Sequence, residues 1–120
     1  MLYNSAVPAS DANCMTSARL ILTTTGSAEE ARTIASALIE SRLAACANIV
    51  GPVESHYWWK ERVETTTEHL LLIKTTAPAV EKVREKIRAL HSYEMPELVV
   101  LNIESGDQNY LKWLVGSVSN

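Results

Sequence analysis

Apolar positions along the chain alternate between short β-like runs and stretches with helical spacing. The run Arg19–Thr25 is apolar and ends in β-branched residues, which predicts a buried strand. Ser27 and Glu30 form a capping box, in which each side chain is expected to bind the other's backbone N–H, and helical apolar spacing follows. Residues 44–50 are apolar again, and Gly51–Pro52 is expected to end this second strand. The order predicts a strand–helix–strand unit with a right-handed crossover.

The middle of the chain is predicted to form a long β-hairpin. Three β-prone segments follow one another there, namely 53–62, Val63–Thr67 and His69–Thr76. The turn is expected at Lys60–Arg62. Alternation along a strand puts Tyr57 and Trp59 on one face and Trp58 on the other, so both faces are apolar at the far end. A single chain could cover one face, whereas covering both requires a partner chain.

The second half of the chain repeats the helix-then-strand order. Thr76 and Pro78 are typical of a helix start, with Thr76 as the expected cap. The apolar stripe of this helix consists of Val80, Val83, Ile87 and Leu90. The loop His91–Glu97 leads to a fourth strand, Leu98–Glu104, and Asp107 introduces a short terminal helix. The order β-α-β-β-α-β plus a helix predicts an α+β ferredoxin-like sandwich with both long helices on one face of a four-stranded antiparallel sheet.

Length and composition fit one small domain. The chain has 120 residues, of which 47% are hydrophobic and 21% charged, so it can bury a core without disulfide bonds. Residues 1–17 contain no Lys or Arg and no long apolar run, which predicts a disordered tail ahead of a single domain at 18–120. Cys14 and Met15 are adjacent soft ligands in that tail and are expected to be chemically idle. Met15 also offers a second translation start.

Charge and motif content exclude several classes of function. The net charge of −3 argues against a nucleic-acid-binding module, and the short apolar runs argue against a membrane span. Two cysteines cannot make a disulfide framework, so a cytoplasmic location is expected. The sequence has no Walker loop, no dinucleotide-binding glycine motif, no H-E-x-x-H and no nucleophile elbow. We therefore predict that the protein is not an enzyme.

Three side chains are candidate ligands for a soft metal ion. Cys46 lies at the start of the second strand, where the alternative is a small core residue. His91 closes the second long helix, where the alternative is that its ring caps the last helical carbonyls. Met95 follows in the loop, where its thioether could join an imidazole around Cu(I) or simply pack against its neighbours.

Five segments of the chain together resemble one known family. They are Leu43–Ile49, Tyr57–Trp59, Leu71–Thr76, His91–Leu98 and Tyr110–Trp113. In this order and with this spacing, between Arg19 and Ser117, they resemble the CutA divalent-cation-tolerance proteins. The resemblance implies a small cytoplasmic homotrimer with a ferredoxin-like fold, similar in arrangement to the PII signalling proteins. It also implies a link to tolerance of copper and other divalent metals, with no agreed catalytic residues.

The resemblance further implies roles for individual positions. The residues that match the family pattern are Cys46, Trp59, Lys74, His91, Tyr93, Pro96, Glu97 and Trp113. Thr23 and Leu90 stand where some members have a cysteine and a second histidine, which removes two soft ligands from this chain. Glu61 stands where a glycine is common in the hairpin turn, so a slightly strained turn is expected.

Two functional hypotheses result. The first is a trimeric protein that binds divalent metal ions at subunit clefts, with copper or another divalent cation as a non-obligatory cofactor. Its expected metal ligands are Cys46, His91, Met95 and Glu97. The alternative is a PII-like module that binds a small ligand or a protein partner. Its cleft between subunits, in which the two basic side chains would meet an anion, is expected to use Arg62, Lys74 and Tyr93. In both cases the expected trimer interface contains Tyr57, Trp58, Trp59 and Trp113.

Overall fold

The described part of the chain, residues 16–119 of a computed structural model, has the predicted order of strands and helices. The strands are β1 (Ala18–Thr25), β2 (Cys46–Trp59), β3 (Arg62–Thr76) and β4 (Val99–Asn102). The helices are α1 (Ala28–Glu40), α2 (Val80–Leu90) and α3 (Gln108–Gly116). The four strands form one antiparallel sheet in the order β2-β3-β1-β4. The predicted α+β ferredoxin-like fold is therefore confirmed.

The described chain begins slightly before the predicted domain. The hydroxyl of Thr16 donates a hydrogen bond to the carbonyl of Ile103, and the carbonyl of Ser17 accepts one from the N–H of Ala77 at 2.7 Å. These two residues therefore belong to the domain. The rest of the predicted tail, with Cys14 and Met15, lies outside the described residues. Within 16–119, no helix is long and apolar enough to cross a membrane.

One face of the sheet carries α1 and α2 and holds the main core. Ile21 and Ile73 on the central strands are fully buried against Ile34 and Leu38 of α1 and Ile87 of α2. Burying a large aliphatic side chain stabilises the folded state by roughly 1.5–3 kcal/mol. This helical face therefore supplies most of the hydrophobic stabilisation of the single chain.

The opposite face of the sheet is also apolar, but it is largely bare. Leu22 and Leu72 pair across β1 and β3 on this face and are only half-buried. Val99 and Leu101 on the edge strand β4 are 44% and 42% exposed. Among the described residues, α3 covers only the end of this face near Ala18. We call this surface the open face, and its exposed apolar composition is typical of an interaction surface.

The hairpin differs from the prediction because Gly51–Pro52 does not end a strand. A bulge between Val50 and Val53 interrupts the pairing of β2 with β3, which then continues to Trp59. A side chain at position 51 would place its Cβ 2.3 Å from Cδ2 of His69, so any residue larger than glycine there would force the His69 ring to move. The result is one uninterrupted hairpin with strands of 14 and 15 residues.

The hairpin turn confirms the expected strain. Lys60 and Glu61 connect β2 to β3, and both have positive φ angles, 49° and 66°. Residues other than glycine, asparagine and aspartate rarely adopt this left-handed region, because their Cβ approaches the backbone carbonyl. The tip of the hairpin therefore stores a small amount of conformational energy.

The helix starts follow the prediction only in part. Ser27 Oγ accepts the N–H of Glu30 at 3.1 Å, as a helix cap should. The carboxylate of Glu30 does not reach back to Ser27, because it binds Ser92 instead. Thr76 was expected to cap α2, but its hydroxyl makes no cap hydrogen bond and is buried without a partner in the described chain.

Candidate functional site

The loop between α2 and β4 is held in place at both ends by side-chain hydrogen bonds. At one end, the carboxylate of Glu30 accepts from the backbone N–H of Ser92 at 2.5 Å and from its hydroxyl at 3.1 Å. At the other end, the hydroxyl of Thr23 donates to the carbonyl of Glu97 at 2.6 Å. Because both ends are tied to neighbouring elements, the loop presents its remaining side chains in a defined position.

His91 anchors the same loop from inside. Its side chain is fully buried, and Nε2 lies 2.6 Å from the carbonyl oxygen of Thr24. A carbonyl can only accept, so Nε2 carries the hydrogen, while Nδ1 accepts from the backbone N–H of Tyr93 at 3.1 Å. Both ring nitrogens are therefore engaged in hydrogen bonds. The ring lies at the C-terminus of α2 as predicted, but it binds β1 and not the helical carbonyls.

Tyr93 reaches from the loop to a buried acid on β3. Its hydroxyl donates to Oε2 of Glu68 at 2.8 Å, and Glu68 is only 5% exposed. Burial of the tyrosine, followed by the hydrogen bond to Glu68 and the negative charge of that carboxylate, raises the pKa of Tyr93 well above its ordinary value. Gly26 allows this approach, since a Cβ there would lie 3.2 Å from the tyrosine hydroxyl.

The loop and the hairpin enclose a cleft of about 680 Å³. One wall is formed by Tyr93–Glu97 of the loop, the other by Tyr57–Trp59 of the hairpin, and Glu68 lies between them. We call it the loop–hairpin cleft. Its volume is in the range of cavities that bind small organic molecules.

Sequence reasoning missed Glu68. Glu68 lies where the polar half of β3 changes to the apolar half. An acid next to an apolar run was the only sign in the sequence that this residue could be buried. Its contact with Tyr93 joins residues 25 positions apart, which no local pattern reveals.

The structure brings some of the predicted site residues together and separates others. Tyr93, Met95 and Glu97 all line the loop–hairpin cleft, as do the three hairpin aromatic residues. Cys46 lies elsewhere, beside Lys74, whose Nζ is 3.9 Å from the Cys46 Sγ and 2.9 Å from Oδ1 of Asn48.

The distance between Cys46 and the cleft follows from the strand register. Lys74, the partner of Cys46, pairs with Leu20, whereas His91 binds Thr24, which is four residues further along β1. Four residues of a strand span about 13 Å. A single chain therefore does not bring Cys46 and His91 to one ion.

Within one chain, the two basic residues predicted for an anion site between subunits do not meet, so that site stays a prediction. Arg62 and Lys74 lie on the same strand, twelve residues apart. At the rise of a β-strand this separation is about 40 Å, so the two cations cannot contact one small anion. Of the three residues predicted for this cleft, only Tyr93 lines the observed one.

A complete metal site is likewise missing from the single chain. In residues 16–119, no three side chains of His, Cys, Asp or Glu lie close enough together to hold a metal ion. Binding through His91 would also require the loss of one of its two hydrogen bonds. Metal binding by Cys46, His91, Met95 and Glu97 stays a prediction.

The residues predicted for the trimer interface are accessible. Trp58 near the end of the hairpin is 74% exposed, and Trp113 on α3 is 51% exposed. The Trp113 ring lies 5.6 Å from the ring of Tyr110, so the two form an aromatic patch on the outer side of α3. Large aromatic side chains at the surface are frequent in protein–protein interfaces.

The fold and the cleft define a class of protein: a ferredoxin-like domain with a long hairpin and a terminal helix. Comparison with known proteins then identifies the family. The family model described as CutA1 divalent ion tolerance protein matches residues 19–117. The divalent-cation tolerance protein CutA of Thermus thermophilus is 50% identical over 95 residues, which cover 79% of this chain and 92% of that protein. The chain therefore belongs to the CutA1 divalent ion tolerance family.

Solved structures agree with this assignment. The divalent cation tolerance protein (Cut A1) from Thermus thermophilus superimposes with a TM-score of 0.83 at 47% identity, covering 85% of this chain and 99% of that one. CutA1 from Oryza sativa superimposes with a TM-score of 0.84 at 36% identity, covering 88% of this chain and 97% of that one. The Thermus thermophilus relative is named as a divalent cation tolerance protein.

Proposed function

We propose that this protein acts as a cytoplasmic homotrimer in tolerance of divalent metal ions, and that it binds copper or another divalent cation at clefts between subunits without catalysing a reaction. Family membership supports the tolerance role. The cysteine content supports the cytoplasmic location. The open face is the main observation in favour of assembly, because a domain of this size rarely leaves an apolar sheet face exposed to water.

The hairpin supports assembly independently of the open face. It makes the molecule elongated, with a longest dimension of 49 Å against 30 and 22 Å for the other two. Trp58 is exposed near its tip, beyond the reach of its own core. Two exposed surfaces, the open face and the side of the hairpin that carries Trp58, are what a closed ring of identical chains would cover.

Subunit clefts are the favoured metal positions because residues 16–119 of one chain bring too few ligands together. Glu97 and Met95 project from the anchored loop, and Met95 is 67% exposed. A carboxylate combined with nitrogen or sulfur ligands from a neighbouring chain suits Cu(II), Zn(II) or Cu(I). In this proposal each loop contributes one or two ligands and the adjoining subunit completes the site.

Isothermal titration with Cu(II) and Zn(II) tests the proposal. The protein is purified without a tag, and its mass is checked by light scattering before titration. We expect Glu97→Gln to weaken metal binding about tenfold, since a neutral amide is a poorer ligand for a divalent ion. Glu81→Gln, an exposed acid on α2 that pairs with Arg84, is the matched control and should leave the affinity unchanged.

Two results would contradict the proposal. Wild-type metal affinity in the double variant with Glu97→Gln and Met95→Leu would show that the loop contributes no ligand to the metal site. A light-scattering mass of one chain at micromolar concentration would show that the protein is a monomer, which has no clefts between subunits.

A PII-like module that binds a small ligand is the second candidate. The loop–hairpin cleft favours it, because the cleft is formed within one chain and has the volume of a ligand site. A thermal-shift screen of metabolites tests this candidate, and a screen without any stabilising compound would count against it.

A further inference from the structure

The loop–hairpin cleft contains a buried carboxylate without a counter-charge. Glu68 is 5% exposed, and within residues 16–119 no Lys, Arg or His forms an ion pair with it. Its only side-chain hydrogen bond in that part of the chain is the one that Tyr93 donates to Oε2. Oε1 of Glu68 makes no hydrogen bond in that part of the chain and remains accessible, so it can accept a hydrogen bond from a ligand in the cleft. The described chain therefore supplies no positive group to this carboxylate.

The remaining charges of the cleft have the same sign. Glu94 and Glu97 line it together with Glu68, and the described lining includes no Lys or Arg. The lining also includes His56, whose ring is paired with Glu54 and not with Glu68. Its Nε2 lies 2.7 Å from the carboxylate of Glu54, and its Nδ1 lies 3.2 Å from the hydroxyl of Thr65. The cleft therefore attracts cations and repels anions.

Aromatic rings lie on the same side of the hairpin as the buried acid. Glu68 pairs with Val53, and Tyr57 and Trp59 follow Val53 at even separations along β2, which puts them on the same strand face. The ring of Trp59 already interacts with one cation, since Nζ of Lys60 lies 5.6 Å from its centroid. Aromatic faces beside a carboxylate are the usual environment of an organic cation.

From these observations we propose that the loop–hairpin cleft binds a small organic cation, namely a primary ammonium or guanidinium group attached to an apolar or flat body. An N–H of the ligand donates to Oε1 of Glu68, and the body contacts Tyr57 and Trp59. A quaternary ammonium has no N–H for this bond. A metal ion would need more ligands than the described chain brings together. The inference goes beyond the metal-tolerance proposal and does not depend on it.

Titration of the full-length protein with a matched pair of probes tests the inference. The cationic probe is 2-phenylethylammonium and the neutral control is 2-phenylethanol, which has nearly the same shape. Both are titrated by calorimetry in the presence of a chelator, so that metal binding does not contribute. We expect the cation to bind at least about tenfold more tightly than the alcohol, because only the cation pairs with the carboxylate.

Two variants locate the probe. Glu68→Gln keeps an oxygen that can accept from Tyr93 but removes the charge, so the preference for the cation should disappear. Glu85→Gln, an exposed acid on α2, is the charge-matched control and should keep that preference. Trp59→Leu keeps an apolar wall and should lower the affinity for the cationic probe about tenfold, because the aromatic face is lost. It also provides the test if Glu68→Gln does not fold.

Several outcomes would overturn the inference. Equal affinity for the two probes, or no binding of either, would show that the cleft does not select a cation. An undiminished preference in Glu68→Gln would show that the buried acid is not the recognition group. If neither probe binds and Glu68→Gln also dissociates the oligomer in sedimentation experiments, a basic side chain of a neighbouring subunit occupies the cleft instead.

Discussion

The two faces of the sheet are both apolar, yet only one of them is covered. Ile73 and Leu72 are neighbours on β3: the first is fully buried under the helices, and the second is half-buried on the open face. Alternation along a strand explains why adjacent residues have such different surroundings. The helical face holds one chain together, whereas the open face is available for other chains. One strand therefore encodes both folding and association.

The loop–hairpin cleft lies on the same side of the sheet as the open face. Glu68, Leu70 and Leu72 alternate along β3 on the face away from the long helices, so the buried acid continues the open face towards the hairpin. Association and ligand binding are therefore expected to influence each other, while the helical core remains unaffected by either. The following predictions test this separation.

The largest effect is expected in the helical core. Ile73→Ala should lower the free energy of unfolding by about 2–5 kcal/mol, because it leaves a cavity among fully buried side chains. Chemical denaturation at a fixed protein concentration measures the change. Leu72→Ala is the neighbouring control and should cost less within one chain. Equal costs for the two variants would contradict the proposed division between the faces.

The next effect is expected on the open face. Replacing both Val99 and Leu101 with serine should weaken the assembly by about 2 kcal/mol or more, since two exposed apolar side chains lose their contacts with other chains. Sedimentation over a dilution series measures the association. Ile39→Ser changes a similarly exposed residue on α1 and should leave the mass unchanged. An unchanged mass in the double variant would show that β4 is outside the interface.

A smaller effect is expected where the loop meets the buried acid. Tyr93→Phe removes the hydroxyl that donates to Glu68 and should cost about 1.5 kcal/mol, the value of a hydrogen bond to a charged group. Tyr110→Phe, on the exposed side of α3, should have little effect on unfolding. If both variants unfold alike, the bond to Glu68 does not stabilise the fold.

The same tyrosine predicts how stability depends on pH. The unfolded chain releases the Tyr93 proton near pH 10, whereas the folded chain retains it because its pKa is raised. Above pH 10 the unfolded state therefore binds fewer protons, so the free energy of unfolding falls as pH rises; below pH 10 the contribution is fully present. Unfolding curves between pH 9 and 12 should decline more steeply for the wild type than for Tyr93→Phe. Parallel curves would contradict this.

The smallest effect is expected at the hairpin turn. Glu61→Gly should raise the free energy of unfolding by about 0.5–1 kcal/mol, because glycine accepts the positive φ of 66° without steric cost. Glu61→Ala removes the same side-chain atoms but keeps the Cβ, so it should bring no such gain. Thermal unfolding of the two variants distinguishes relief of strain from loss of the carboxylate.

Much of the fold could be predicted from the sequence, because hydrophobic spacing is local. The strand Arg19–Thr25 and the helix after Ser27 depend on neighbours within a few residues, and both lie where the pattern predicts them. Gly51–Pro52 was misread because a bulge and a chain turn have the same local signature. Only the pairing of β2 with β3 on both sides of the bulge distinguishes them.

The candidate site was only partly predictable. The sequence placed Tyr93, Met95 and Glu97 in one loop, and the structure keeps them together because they are close along the chain. It divided the second half of the hairpin into two segments, Val63–Thr67 and His69–Thr76. The structure has one continuous strand there, with Arg62 and Lys74 at its opposite ends. The sequence also could not reveal Glu68, whose partner is 25 residues away.

The amino-acid sequence by itself determined the order of strands and helices, the buried stripe of each element and the presence of aromatic residues on both faces of the hairpin end. The tertiary structure alone decided that His91 is occupied by Thr24 and Tyr93, that Cys46 is remote from the loop, and that a buried acid faces the aromatic wall. The physical reason is that periodicity reports the surroundings of each residue, whereas a site depends on the strand register and sheet order that bring distant residues into contact.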